Sequence, residues 1–152
     1  MNVVAILQSM WGAERGKAPL FFKINPRNRS GAKLYRITQG HSLVVTNTAS
    51  ICGHSPDDHQ PIDQAHLMRA LDRLRKGIGI DLILVCGNQA KEAWNALPAE
   101  YRSGPHIIMP HPAARNLTNA LLDDIKATIN AKNLSSHWFK QLSYGGHTKL
   151  KI

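Results

Sequence analysis

One stretch, DLILVCGNQAKEAWNAL at residues 81–97, indicates the fold of this chain. Residues 81–86 form a run of strand length that is apolar after Asp81, and Gly87 then interrupts it. The residues that follow, 88–97, suit a helix, and Asn88 stands where an N-cap is expected. We therefore predict a buried strand that passes directly into a helix.

The same alternation recurs along the rest of the chain. Strands are predicted at residues 3–7, 42–46 and 106–109, with a weaker candidate at residues 20–24. Helices are predicted at residues 30–37, 64–76 and 116–131, the last with leucines and an isoleucine at helical spacing. Strands that alternate with helices imply a central, mostly parallel sheet of about four strands, covered on both faces. The predicted fold class is α/β, a three-layer α/β/α sandwich.

Length and composition suggest one domain. We divide the 152 residues into an α/β domain at 1–132 and a basic, aromatic tail at 133–152 that is either packed or flexible. No apolar run reaches the length of a membrane span, and the chain begins with a strand rather than a signal peptide. Cys52 and Cys86 form no Cys-x-x-Cys pair. We expect a cytoplasmic monomer with no membrane partner.

Positive charge is concentrated in one part of the sequence. The net charge is +9, and residues 15–36 contain no acidic residue beside their basic ones, which are Arg15, Lys17, Lys23, Arg27, Arg29, Lys33 and Arg36. Such a cluster is typical of a surface that binds a polyanion, nucleic acid above all. The tail interleaves Trp138, Phe139 and Tyr144 with lysines, which suits stacking on a nucleic-acid strand or simple packing. A solvated surface is the plainer interpretation of the charge.

Loops that follow strands are where an open α/β sheet carries its binding residues. Four such loops, at residues 8–12, 47–50, 87–90 and 111–115, carry polar side chains able to bind a planar heterocycle or a phosphate. None has the glycine spacing of a phosphate-binding loop or of a dinucleotide fingerprint. We therefore predict no nucleotide cofactor, and no other cofactor is indicated.

The order of these motifs resembles that of the uracil-DNA glycosylase superfamily. The segment LVVTNT at 43–48 resembles its strand that ends in a base-reading Asn, and LILVCGNQA at 82–90 is similar to its strand-Gly-x-x-Ala helix start. His111-Pro112 resembles the His-Pro motif whose imidazole faces the uracil O2. RSGAKL at 29–34 is similar to a Gly-rich helix start of the thermophilic branch. The resemblance covers residues 3–130 and describes a divergent, compact member.

This resemblance implies a DNA glycosylase-like protein that flips a modified or deaminated base out of single- or double-stranded DNA and hydrolyses its N-glycosidic bond. His111, Gln8 and Asn47 would be the catalytic residues, and Asn47 with Trp11 and Ser9 would contact the base. The expected DNA-binding residues are Arg115, Asn88, Gln89, Arg27, Arg29 and Lys33. A role in DNA repair follows, and so compact a chain would suit a phage or mobile element.

The chain departs from the family pattern in its first motif. The loop at residues 8–12 has no carboxylate and no proline, and Gln8 cannot act as a general base. In a second register, Asn25 within Ile-Asn-Pro would mark this motif, but it leaves too little chain before Asn47, so we favour Gln8. The His-Pro motif also lacks its usual Ser, and two cysteines cannot supply the iron–sulfur ligands of the thermophilic branch.

Histidines and aspartates gather at residues 53–63. His54, Asp57, Asp58 and His59 are of metal-ligand type, but their spacing matches no closed tetrahedral motif, so we predict no metal. The histidines are expected to face solvent or a groove. Asp57 or Asp58 could supply the carboxylate that the first loop lacks.

Each site residue also has a plainer interpretation, such as loop structure for His111, turn chemistry for Asn47, core packing for Trp11 and surface charge for Arg115. Two other functions therefore stay open. One is a catalytically silent relative that binds DNA or a modified base. The other is an α/β hydrolase or transferase that acts on a nucleotide-like small molecule.

Overall fold

A computed structural model of the chain describes residues 1–8, 16–55, 57–131, 139–142 and 150–151, the last two ranges by their backbone. Strands and helices alternate along it. The elements are β1 (Asn2–Leu7), α1 (Arg29–Ile37), β2 (Ser42–Asn47), α2 (Gln64–Lys76), β3 (Leu82–Cys86), α3 (Asn88–Asn95), a 3-10 turn (Ala99–Tyr101), β4 (His106–Met109), α4 (Asn119–Ile129), β5 (Phe139–Leu142) and β6 (Leu150–Lys151).

The sheet has the order β2-β1-β3-β4-β5-β6. Its first four strands correspond to the strands predicted at residues 3–7, 42–46, 81–86 and 106–109, and all of them run parallel. The predicted α/β sandwich is thus confirmed. Within the region assigned to the tail, β5 pairs parallel to β4 and β6 pairs antiparallel to β5, so the described parts of the tail extend the sheet.

Both faces of the sheet are covered. Along β1, Val3, Ala5 and Leu7 join one core cluster with residues of α1 and α4, whereas Val4 and Ile6 join a second cluster with residues of α2 and α3. Side chains of a strand alternate between faces, so a strand buried on both reads as a continuous apolar run. Because β1 and β3 are buried in this way, both appear in the sequence as apolar runs and could be predicted as strands.

The helices begin in two different ways. Asn28 accepts a hydrogen bond from the Gly31 amide (2.6 Å) at the start of α1, and the N-cap side chains of α2 and α4 do the same for their helices. In α3 the N-cap is Gly87, which offers no side-chain bond, and Asn88 is already helical. The prediction of Asn88 as the cap is therefore wrong. Its side chain is not used for capping.

The predicted strand at residues 20–24 is not formed. Only Phe22 pairs there, with Val45 of β2, through two backbone hydrogen bonds of 2.9 Å. Pro19 and Pro26 lie on either side of the segment and supply no amide donors, so they do not favour a longer ladder beyond it. The segment instead lies beside β2 as irregular chain, where the Leu20 carbonyl accepts the Thr46 hydroxyl (2.7 Å).

Across the parts of the chain that the structure describes, no helix combines the length and apolar character needed to cross a bilayer.

Candidate functional site

A cleft lies where the strand order reverses. From β1 the chain crosses to β2 on one side, and from β2 it returns past β1 to β3 on the other side. Ligands of open α/β sheets bind at the carboxyl ends of the strands beside such a reversal. A cleft of about 460 Å³ occupies this position, lined by Gln8, His59, Gly87, Asn88, Gln89, Glu92 and His111.

Four of the predicted site residues meet in this cleft. Gln8 follows β1, Asn88 and Gln89 open α3, and His111 follows β4. They come from three different parts of the sequence because parallel strands end at the same edge of the sheet. The lining is thus rich in amide groups, which offer both donors and acceptors.

His111 is held in one tautomer. Its Nδ1 accepts a hydrogen bond from the Ala113 amide (3.0 Å), so the proton of the neutral imidazole is on Nε2. Burial lowers the pKa of His111, and electrostatic interactions with Lys33 and the neighbouring His59 lower it further. At neutral pH the ring is therefore uncharged and has an Nε2–H donor.

Gly87 lets the turn between β3 and α3 approach His111. Its backbone has φ +94° and ψ 174°, a region open essentially to glycine alone. A Cβ at this position would stand 3.1 Å from the Cβ of His111. The Gly87 amide donates to the Met109 carbonyl (2.9 Å), which ties the turn to the end of β4. Gly87 and His111 are thus packed against each other.

Asn47 lies behind the cleft and does not line it. Its side chain is only 2% exposed, and its Nδ2 donates to the backbone carbonyl of Gln8 (2.6 Å). The Oδ1 atom is buried and has no hydrogen-bond partner among the residues described. The observed contact therefore supports the backbone of Gln8, and the contact of Asn47 with a base stays a prediction.

Glu92 is a cleft residue that the sequence analysis missed. It follows Asn88 by four positions and Gln89 by three, so the three side chains share one face of α3. This helical spacing from the two polar residues that open α3 was the available signal. Glu92 therefore supplies the cleft with a carboxylate, the group that residues 8–12 lack.

The loop at residues 53–63 contributes His59 to the cleft but not an aspartate. Asp58 binds within its own loop, where its carboxylate accepts the His54 amide (2.7 Å) and the Gln60 Nε2 (3.0 Å). Asp57 is exposed and outside the lining. Neither aspartate therefore supplies the missing carboxylate to the cleft. Among the residues whose structure is described, no three His, Cys, Asp or Glu side chains gather as a metal site.

Basic residues follow β1 and β4 at the carboxyl edge of the sheet, where the cleft lies. Lys33 in α1 is half-buried and acts electrostatically on His111, while burial and the neighbouring Arg29 lower the pKa of Lys33 itself. Arg27, Arg29 and Arg115 are exposed and do not line the cleft. They give this edge a positive rim.

Asn25, the alternative first-motif residue, is exposed in the loop before α1. Its Oδ1 accepts the Arg27 amide (2.9 Å) in a local turn, and it does not line the cleft. The geometry thus favours Gln8 over Asn25 as the cleft residue. Ser9 and Trp11, predicted to contact a base, and Trp138 and Tyr144 of the tail lie outside the described residues.

No protein-family model matches this chain, and no curated protein is significantly similar to it. The fold and the site together define an α/β sandwich with a polar, imidazole-containing cleft at its topological switch point.

Proposed function

We propose that the protein is a DNA glycosylase-like enzyme that binds DNA, accepts a flipped-out modified or deaminated base in the cleft and hydrolyses its N-glycosidic bond. The observation that carries this proposal is the neutral His111, whose Nε2–H donor is set among the amide side chains of the cleft. The order of the sequence motifs supports the same function.

Breaking an N-glycosidic bond leaves negative charge on the departing base. A preorganised donor in a partly buried site stabilises such charge far better than water does. His111 provides this donor without being charged, and the Ala113 amide keeps its ring oriented. Gln8, Asn88 and Gln89 then read the edge of the base, since each amide both donates and accepts.

The sugar develops positive charge in the same step, and water must add to its C1′ atom. We assign this side of the reaction to Glu92, the carboxylate of the cleft lining. Glu92 accepts a proton from water as the oxygen bonds to C1′, and the base leaves as an anion that His111 holds. Glu92 thereby takes the role that Gln8 cannot fill.

The positive rim binds the DNA backbone in this proposal. Arg27, Arg29, Lys33 and Arg115 lie at the same edge of the sheet as the cleft, and phosphate contacts of this kind position a protein on DNA without reading sequence. Binding should therefore weaken steeply as salt concentration rises. Cys52 and Cys86 are both free thiols, which suits the reducing cytoplasm that we propose for a monomeric protein.

A second candidate is a silent relative that binds a modified base without cutting. It is favoured by Asn47, whose amide group is engaged by the Gln8 backbone rather than presented to the cleft. In this case the cleft would recognise a base, and Glu92 would contribute only hydrogen bonding.

One assay separates these functions. Oligonucleotides, single-stranded and duplex, carrying uracil, 5-hydroxymethylcytosine or a glucosylated base are incubated with the protein, and alkali then cleaves any abasic site. We expect cleavage by the wild type, with losses of about a hundredfold or more in His111→Ala and Glu92→Gln. Glu100→Gln makes the same charge change outside the cleft and should keep wild-type activity.

The binding arm of the assay gives the remaining outcomes. Tight, salt-dependent and base-selective binding with no cleavage on any substrate would support the silent relative and overturn the enzyme. Weak binding to every oligonucleotide would overturn both. A hydrolase or transferase that acts on a nucleotide-like small molecule would then be the better interpretation, because the cleft volume is within the range of small-molecule sites.

A further inference from the structure

A second cavity lies beside the cleft, at the carboxyl end of β2 and the start of α2. Its volume is about 340 Å³, and it is lined by Ser50, Ile51, Gln60, Pro61, Ile62, Asp63 and Gln64. The proposed chemistry makes no use of it. Among the described residues that line it, one large aliphatic side chain is exposed and one buried acceptor has no hydrogen-bond partner.

The two cavities share a thin wall. His59 lines the cleft and Gln60, the next residue, lines the second cavity. Consecutive Cα atoms are about 3.8 Å apart. The wall is also tied to the cleft, because Gln89 Nε2 donates to the Gln60 carbonyl (2.8 Å). Two flat groups joined by a short linker could therefore occupy both cavities at once.

Ile51 gives the second cavity an apolar wall. Its side chain is 53% exposed, although it is a large aliphatic group. The backbone on either side of it is fixed, since Ala18 donates to the Ser50 carbonyl (2.8 Å) and Cys52 donates to the Gly16 carbonyl (2.9 Å). A flat ring that packs on Ile51 would remove this apolar surface from water.

Gln64, which lines the cavity, has an acceptor without a donor. Its Nε2 donates to the Ala93 carbonyl (3.0 Å), and its Oε1 is buried with no hydrogen-bond partner in the described part of the chain. A buried, unpaired acceptor is costly, and an N–H group of a ligand would satisfy it. Amino and imide groups at the edges of nucleobases are donors of this kind.

Asp63 argues against a phosphate in this cavity. The Ser50 hydroxyl and the His66 amide bind its carboxylate and lower the pKa of Asp63, so it carries a negative charge at neutral pH. A phosphate would be repelled by this charge. A neutral ring with N–H donors would not, and the carboxylate would even favour those donors.

From these contacts we infer that the second cavity is a subsite for a neighbouring base, which packs on Ile51 and donates to Gln64 while the target base occupies the cleft. The protein would then read two consecutive nucleotides rather than one. This inference rests on the proposed function, because it takes the cleft to hold a nucleobase.

The test measures how the neighbouring base contributes to binding. The probes are short single-stranded oligonucleotides with a central uracil and, in a second set, a central 5-hydroxymethylcytosine. The central base has a thymine on each side. In the variant probes, either the 5′ or the 3′ thymine is replaced by an abasic tetrahydrofuran. Fluorescence anisotropy gives the affinity of the full chain for each probe. Wild-type protein should bind about fivefold or more weakly when one of the two neighbours is abasic.

Ile51→Ala and Ile78→Ala form a matched pair for this test. Ile78 is 54% exposed, nearly the same as Ile51, but it lies at the opposite edge of the sheet before β3. We expect Ile51→Ala to bind probes with and without the neighbouring base almost equally. Ile78→Ala should keep the wild-type difference. Thermal unfolding checks that both variants fold.

Three other results would overturn the inference. If affinity depends on the central base and falls in His111→Ala but ignores both neighbours, the proposed function stands and the subsite is wrong. If a neighbour effect persists unchanged in Ile51→Ala, the neighbouring base is read elsewhere. If neither the central base nor His111 affects affinity, the proposed function fails and the subsite fails with it.

Discussion

The contact between Gly87 and His111 gives the most specific prediction. In Gly87→Ala the new methyl group meets two costs. At φ +94° and ψ 174° a side chain strains the backbone by about 1–3 kcal/mol. The methyl also stands 3.1 Å from the His111 Cβ, so the imidazole must move by a few tenths of an ångström. We therefore expect a loss of stability together with a displaced His111.

The loss of stability is measured by urea unfolding, with tryptophan fluorescence as the signal. Trp94 is a suitable probe because it is only 2% exposed. A loss of 1 kcal/mol corresponds to about 2–4 °C in the midpoint of thermal unfolding for a chain of this size. An NMR titration of the His111 ring measures the second effect. Gly40→Ala is the control, because Gly40 has φ +89° but nothing within 4 Å of its added Cβ.

Gly40→Ala should therefore lose stability without any change in the His111 resonances. A Gly87→Ala variant as stable as the wild type would show that the backbone at this position is not strained by a side chain. A variant that is destabilised but titrates at His111 and binds oligonucleotides as the wild type does would show that the contact with His111 has no effect on the ring.

Three more predictions concern His111 and Asn47. Burial and nearby positive charge lower the pKa of His111, so the midpoint of its NMR titration should lie below 6.5. The midpoint should rise in Lys33→Gln but not in Lys76→Gln, which removes a positive charge at the end of α2. An unchanged midpoint in Lys33→Gln would contradict the electrostatic effect of Lys33. Because the unfolded chain binds the proton more tightly, this histidine should lower the free energy of unfolding as pH falls below 6.5 towards the folded pKa, an effect that His111→Gln removes. Asn47→Ala should cost about 1–3 kcal/mol in urea unfolding, because the Gln8 carbonyl loses its buried donor, and unchanged stability would count against that role.

The sequence predicted the layers of the fold because its central strands are buried on both faces. The run at residues 82–86 has no polar residue, and a strand of this type is hard to mistake when glycine and a helix follow it. The prediction of a strand at residues 20–24 was wrong because composition does not report pairing. The segment is largely apolar, but only Phe22 pairs with β2, at Val45, and this tertiary contact is not visible in the sequence.

The candidate site was predictable only where residues directly follow strands. Gln8, Asn88, Gln89 and His111 do so, and the sheet brings them together. Glu92 comes from the second turn of a helix, and His59 comes from a long loop whose path depends on tertiary contacts. Asn47, the last residue of β2, also lies at a strand end, but its side-chain amide donates to the Gln8 carbonyl and does not line the cleft. Strand ends thus show which edge carries the site, and the direction of each side chain needs the structure.

The irregular segment beside β2 has a consequence for assembly. An edge strand exposes a row of unpaired amides and carbonyls on which another chain can add a strand. Here the Val45 amide and carbonyl are both engaged by Phe22, and the Thr46 hydroxyl reaches the Leu20 carbonyl. A second copy could extend the sheet on this side only after displacing residues 17–22. The bound segment thereby covers the outward edge of β2 around Val45, and Pro19 within the segment offers no amide donor to a further strand.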